Sequence, residues 1–272
     1  MLELTDTHCH VNLPEFDDDR SLVLQRARVA GVGRLLLPGV DLATSKLAVE
    51  LAENQPGLYA AVGIHPHYAH LWNEECALSL RSLAASPKVV AIGEIGLDYF
   101  RNFSPPEAQR AAFKDQLNLA AELGLPVIVH QRDSMDDILD NLELYSQQLP
   151  QELLQRAGVL HAYSGDARSA SIALAKGFYL GVAGPVTFRN ADDLRAVLMD
   201  VPQESLLIET DSPYMTPAPH RGVRNEPMYV RHIAEQLALL FGLDTDHIAR
   251  VTSENADHLF RWRNETADSY LS

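Results

Sequence analysis

Histidines, a glutamate and an aspartate close several short apolar runs of this chain, and together they form a ligand set for divalent cations. His8 and His10, in Thr5-Asp6-Thr7-His8-Cys9-His10, are two apart on an extended segment, so both rings face the same side. Their Cα atoms are then roughly 6–7 Å apart, and the rings can converge on one cation at about 2.0–2.1 Å. An isolated His-x-His otherwise reads as two hydrogen-bonded or solvent-facing histidines. Four further ligand-type residues favour ligation: Glu94 in Gly93-Glu94-Ile95-Gly96, His130 after Val127-Ile128-Val129, His161 after Val159-Leu160, and Asp211 in Glu209-Thr210-Asp211-Ser212-Pro213. A carboxylate among the apolar neighbours of Glu94 is costly to bury unless it is paired, with Arg132 for example, or metal-bound. A carboxylate can bridge two cations and an imidazole cannot, so Glu94 is the candidate bridge. His8, His10 and Asp211 are expected around one cation, and His130 and His161 around the second. Asp211 is also placed to accept a proton from an attacking water.

Four histidines, one glutamate and one aspartate make a mixed nitrogen and oxygen set. Such a set suits Zn²⁺ or Mn²⁺, or Mg²⁺ when waters complete the shell. Two cations about 3.5–4 Å apart acidify a bridging water and stabilise both the attacking and the leaving oxygen. The chemistry is hydrolysis in outline, with phosphodiesters, amides and esters all open. A purely structural role for the metals is the weakest reading, because closed structural zinc sites are usually cysteine-rich, and this chain has only Cys9 and Cys76.

The elements that must hold these residues follow from apolar periodicity. Strands are predicted at Leu2–Val11, Arg34–Val40, Leu58–Ile64, Val89–Leu97, Pro126–His130, Gly158–Tyr163, Phe178–Ala183 and Ser205–Glu209. Helical spacing lies between them at Leu22–Ala30, Thr44–Asn54, Glu75–Ala85, Pro106–Leu123, Met135–Leu149, Ala167–Lys176 and Ala191–Met199. Gly31, Gly124 and Gly177 stand at helix-stop positions. Alternating strands and helices imply a parallel sheet with right-handed crossovers. Eight strands suffice to close it, giving an α/β fold of the (β/α)₈ TIM-barrel type, with a doubly wound open sheet as the alternative. Two extra helices, Met228–Phe241 and Ser253–Arg261, follow the last strand and are expected to close the barrel. One domain, 1–262, is expected, then a polar tail, 263–272. In such a barrel the chemistry sits at the C-terminal strand ends, where these ionisable residues fall.

Composition narrows the class. The 272 residues are 46% hydrophobic and 22% charged, ordinary for a globular protein. No apolar run approaches the roughly 18 residues of a membrane span. No signal peptide is visible at Met1–Asp6, and two cysteines do not make a disulfide framework. A cytoplasmic protein is expected. The formal charge of −15 comes from 22 Lys+Arg against 37 Asp+Glu. That balance argues against a module that holds nucleic acid through a basic stripe. An enzyme whose phosphate contact is a pair of cations is compatible with it.

The ordered motifs Asp6-Thr7-His8-Cys9-His10, Gly63-Ile64-His65-Pro66-His67, Gly93-Glu94-Ile95-Gly96-Leu97-Asp98-Tyr99, His130-Gln131-Arg132-Asp133, His161-Ala162-Tyr163-Ser164-Gly165, Glu209-Thr210-Asp211-Ser212-Pro213-Tyr214, Arg221-Gly222-Val223-Arg224-Asn225-Glu226-Pro227 and Asn255-Ala256 resemble the TatD family of metal-dependent deoxyribonucleases. The match runs in order over nearly the whole chain. Ala162-Tyr163 after His161 departs slightly from the family pattern, and Glu94 stands where some amidohydrolases carry a carboxylated lysine. The resemblance implies an amidohydrolase-type barrel with two divalent cations, Mg²⁺ in the first instance, at His8, His10, Glu94, His130, His161 and Asp211. It also implies 3′-to-5′ exonucleolytic cleavage of DNA, single-stranded or at 3′ ends, by what can be a monomer. His65 would contact a phosphate or the leaving group, with the catalytic work shared among Asp211, Glu94 and His65. Arg221 and Arg224 could steady a phosphate, and Asn225 and Glu226 anchor their loop. Glu209 and Arg132 would support metal ligands from behind, unless Arg132 pairs with Asp133. His67 and His70 read as surface histidines. The competing function keeps the metals and changes the bond, to an amide or ester hydrolase such as a deacetylase or a D-aminoacyl-tRNA deacylase.

Overall fold

A computed structural model describes residues 3–262. Leu2, placed above in the first strand, and the tail 263–272 lie outside the described residues. The strands are β1 (Leu4–Asp6), β2 (Val32–Pro38), β3 (Leu58–Val62), β4 (Val89–Asp98), β5 (Val127–Arg132), β6 (Gly158–Leu160), β7 (Phe178–Val182) and β8 (Leu206–Ile208). They lie in sequence order in one eight-stranded sheet, and every neighbouring pair is parallel. The helices are α1 (Arg20–Val29), α2 (Leu42–Asn54), α3 (Glu74–Leu83), α4 (Pro106–Leu123), α5 (Met135–Ser146), α6 (Ala167–Ala175), α7 (Asp192–Met199), α8 (Val230–Phe241) and α9 (Thr245–Phe260).

The first and last strands meet beyond their ladders. Thr7 N donates to Ile208 O at 3.1 Å, Asp211 N to His8 O at 2.8 Å, and His10 N to Ser212 O at 2.8 Å. The barrel seam is therefore bonded where His8, His10 and Asp211 stand. This explains why β1 stops at Asp6 although the expected strand continues to Val11: past Asp6 the backbone turns its bonds toward the segment after β8.

Alternation along the strands divides the core in two. Leu36, Ala61, Ala91, Ile128, Val159 and Leu207 pack with Leu259, Phe260 and Trp262 from the end of the chain. Their neighbours Leu35, Leu37, Ala60, Val62, Ile92 and Val129 join the cluster that includes helix residues such as Leu117, Ile138 and Leu237. The first set fills the barrel, and each fully buried Leu or Ile in it contributes about 1.5–3 kcal/mol. The end of α9 packs against this interior, with the Trp262 ring centroid 4.3 Å from that of Tyr59. α9 begins at Thr245, eight residues before the expected Ser253, because the Asp244 side chain accepts from His247 N at 2.6 Å and caps it. Ile248, Ala249 and Val251 are buried in that added length. α4 spans the expected residues and ends at Gly124 with φ 66°. No described helix is long and apolar enough to cross a membrane.

Candidate metal centre

The opposite end of the barrel is polar and buried. Asp6, His8, His10, His65, Glu94, Asp98, His161, Glu209 and Asp211 are all buried. Glu94 stands at the middle of them and divides its two oxygens. Oε2 lies 3.3 Å from His8 Nε2 and 3.4 Å from His10 Nε2. Oε1 lies 2.9 Å from His130 Nδ1, 3.4 Å from His65 Nε2 and 3.8 Å from His161 Nε2. Asp211 Oδ1 is 3.7, 3.5 and 3.8 Å from the Nε2 atoms of His8, His10 and His161. Three groups of donors fall close enough to hold an ion: His8, His10 and Asp211; His8, Glu94 and His161; and His65, Glu94 and His130. The six expected ligands thus meet in one cavity. His130 and His161 reach Glu94 from different sides, their ring centroids 6.3 Å apart, and His65 joins His130.

Glu94 arrives there through an irregularity in β4. Ile92 pairs with Val127 and Ile95 with Val129, so Gly93 and Glu94 oppose the single residue Ile128. Such a bulge re-aims one side chain. It requires small neighbours: a Cβ on Gly93 would lie 2.6 Å from Ile128 Cβ, and one on Gly96 would lie 2.0 Å from His130 O.

The donor set fits divalent cations. His8 Nε2 and His10 Nε2 are 3.0 Å apart, so at most one can carry a proton toward the other, while Glu94 and Asp211 add further lone pairs at the same point. The carboxylates favour the protonated form of three of the rings. Burial favours neutral His10 and His161, yet Asp211 and Glu94 raise His10 to about 9, and Glu209 and Asp211 raise His161 to about 10. His130 is raised against burial by Asp98 and Glu94. Reciprocally, Glu94 and Asp211 are held low against burial by the surrounding histidines. Burial and the neighbouring His161 lower His8, and burial lowers His65 to about 4. A cation held by these rings would displace their protons.

The residues behind the ligands fix their orientation. Glu209 Oε1 accepts from His161 Nδ1 at 2.8 Å and from Ala162 N at 2.6 Å, turning His161 Nε2 toward the centre. The Asn225 amide donates to Thr210 O and Tyr214 O at 2.8 and 2.5 Å, and Glu226 pairs with Arg26 at 2.7 Å, so both anchor the segment after β8. The arginines are used differently from expectation. Arg132 makes no ion pair with Glu94 or Asp133 among the described residues; its guanidinium lies 3.8 Å from the Phe100 ring centroid. Arg221 stacks on Phe188 at 3.8 Å and donates to Thr216 O. Arg224 is held by both Asp19 oxygens, at 2.9 and 2.8 Å, and by Glu226 at 3.1 Å. Its charge is met by the chain's own carboxylates.

Asp98 and Asp6 were not singled out from the sequence, and His67 was read as a surface histidine. Asp98 Oδ2 lies 3.2 Å from His130 Nε2 and 2.9 Å from His67 Nε2, so His67 is a partner of the centre and not a surface histidine. The signal for Asp98 was present, since it stands four residues beyond Glu94 on one strand and thus on the same face. His70 is also engaged, its Nδ1 2.8 Å from Ser104 Oγ. Asp6 accepts from Thr210 N at 2.9 Å, Thr210 Oγ1 at 2.6 Å and His8 N at 3.3 Å, and burial pushes it up to about 8. It ties the two sides of the seam.

The family model described as TatD related DNase matches residues 5–261. The 3′-5′ ssDNA/RNA exonuclease TatD of Cronobacter sakazakii is 42% identical over 260 residues, covering 94% of this chain and 97% of its own. The metal-dependent hydrolase YabD of Bacillus subtilis is 41% identical over 258 residues, covering 95% and 99%. The crystal structure of YJJV, a TatD homolog from Escherichia coli, superposes with a TM-score of 0.87 at 35% identity, covering 95% of this chain and 98% of that one. An eight-stranded parallel barrel with carboxylate-bridged imidazoles at its C-terminal end and this breadth of likeness lead to one conclusion: the chain belongs to the TatD-related DNase family and is a metal-dependent hydrolase.

Proposed function

We propose that this enzyme removes nucleotides from the 3′ end of single-stranded nucleic acid, DNA in the first instance, with two divalent cations, Mg²⁺ physiologically. The observation that carries the reading is the divided carboxylate of Glu94, one oxygen facing His8 and His10 and the other facing His130, His65 and His161. His8, His10 and Asp211 would hold one cation and His130 and His161 the other, with Glu94 shared. Bound there, the pair would acidify a water and stabilise the attacking and leaving oxygens. Asp211 would accept a proton from the attacking water. His67 N donates to His65 Nδ1 at 3.1 Å, so a neutral His65 carries its proton on Nε2, toward the centre, and can donate it to a phosphate oxygen. Glu209 holds the tautomer of His161. Every residue of the set comes from one chain, so a monomer suffices. The unit proposed to carry the activity is the barrel of residues 1–262. The free thiols of Cys9 and Cys76 support a cytoplasmic setting.

The acyl-hydrolase alternative draws only on fold. N-acetyl-D-glucosamine-6-phosphate deacetylase of Mycobacterium smegmatis superposes with a TM-score of 0.59 at 12% identity, whereas several relatives at 40–42% identity are named as 3′-5′ ssDNA/RNA exonucleases. The test offers the Mg²⁺-loaded protein a 5′-labelled single-stranded oligonucleotide, a D-aminoacyl-tRNA and an N-acyl amino acid. Stepwise shortening of the first is expected, with kcat reduced about 10²–10⁴-fold by Asp211→Ala. Turnover of an acyl substrate alone would replace the nuclease reading.

A further inference from the structure

The segment that follows β4 leaves the metal centre with two large rings facing solvent. Phe100 is 53% exposed and Phe103 65% exposed. Neither ring is on a slack loop. Asp98 Oδ1 accepts from Phe100 N at 3.1 Å and Arg101 N at 2.8 Å, while its Oδ2 faces His130 and His67. Asn102 Nδ2 donates to Tyr99 O at 2.7 Å, and Ser104 Oγ donates to His67 O at 2.9 Å. One carboxylate thus binds the loop backbone with one oxygen and a metal-side histidine with the other. The rings continue outward from the centre, with centroids 4.5 Å apart for His130 and His65, 4.4 Å for His65 and His67, and 4.8 Å for His67 and Phe103.

Charge completes the surface. Arg132 lies over Phe100 at 3.8 Å and Arg101 at 5.5 Å. Neither arginine has a carboxylate partner among the described residues, in a chain where Arg20, Arg26, Arg195 and Arg224 all do. Exposed rings held rigidly beside unpaired guanidinium groups are the elements of a single-strand binding surface: bases stack on the ring faces and the cations meet the phosphates. An unpaired base presents a free π-face to such rings, whereas the bases of a duplex are already stacked on each other. We propose that the Phe100–Phe103 loop, with Arg132, is the platform on which an unpaired base of the substrate strand stacks next to the metal centre, and that it selects single strands over duplex. This rests on the nuclease reading and assigns its strand selectivity to named residues.

The test titrates the holoenzyme into a single-stranded oligonucleotide that carries 2-aminopurine near its 3′ end, with terminal phosphorothioate linkages to slow hydrolysis. Stacking on the platform quenches the fluorescence. Phe100→Ala is expected to remove the quench and raise Kd about tenfold, and Phe100→Tyr to preserve both. The same strand annealed to its complement is expected to bind more weakly and to respond little to Phe100→Ala. Phe100 is exposed, so its truncation opens no core cavity, and circular dichroism checks the fold. An enzyme that shortens single strands but binds them unchanged after Phe100→Ala overturns the platform alone. A wild-type enzyme that binds no single strand overturns the platform and the nuclease reading together.

Discussion

His161 shows how a ligand set depends on residues that never touch the ion. Its Nδ1 is committed to Glu209 Oε1 at 2.8 Å, so Nε2 is the nitrogen left for the centre. Replacing Glu209 with glutamine keeps the volume and removes the charge that supports the ring, and metal affinity is expected to fall about 10–100-fold. Competition against a fluorescent chelator measures this; unchanged affinity would deny Glu209 its role. The six candidate ligands, which the structure brings to one cavity, stood out in the sequence because each closes an apolar run where packing offers no reason for an ionisable group. The arginines were not legible, because their partners come from far along the chain: Arg224 meets Asp19 across 205 positions, and Arg132 meets a ring on the neighbouring strand's loop. Asp98 was overlooked for a related reason. A carboxylate after a glycine and a leucine reads as a turn residue until His130 and His67 are placed beside it.

At the level of elements, the strand and helix order followed from periodicity, since each apolar strand and each amphipathic helix has one way to bury its face. What the pattern could not supply were local departures from regularity. The bulge at Gly93 and Glu94, which turns the Glu94 carboxylate inward, leaves no trace in apolar alternation. Nor does the seam, where the backbone of β1 leaves its ladder to bond with the segment after β8. Gly96 makes this dependence testable. Its φ is 140°, and an added Cβ would meet His130 O at 2.0 Å. Gly96→Ala is expected to cost about 1–3 kcal/mol in backbone strain, with further loss as His130 is displaced. Urea unfolding should show a lower midpoint, accompanied by reduced activity. A midpoint equal to that of the parent would mean the strand tolerates the change and that its geometry is not under this constraint.

Over the whole molecule, an acidic chain of formal charge −15 acts in a family named for DNase activity. The two facts are reconciled if the phosphate is met chiefly by cations in a cavity and by a small arginine-bearing surface beside it, without a basic stripe. Hydrophobic closure of one barrel end by α9 leaves the other end free to bury a cluster of ionisable groups placed to hold ions. The account therefore turns on whether two cations share Glu94. Anomalous scattering from crystals loaded with Mn²⁺ tests this directly. Two peaks about 3.5–4 Å apart, with Glu94 between them, His8, His10 and Asp211 on one side and His130 and His161 on the other, are the expected result. A single peak, or none within reach of Glu94, would contradict it.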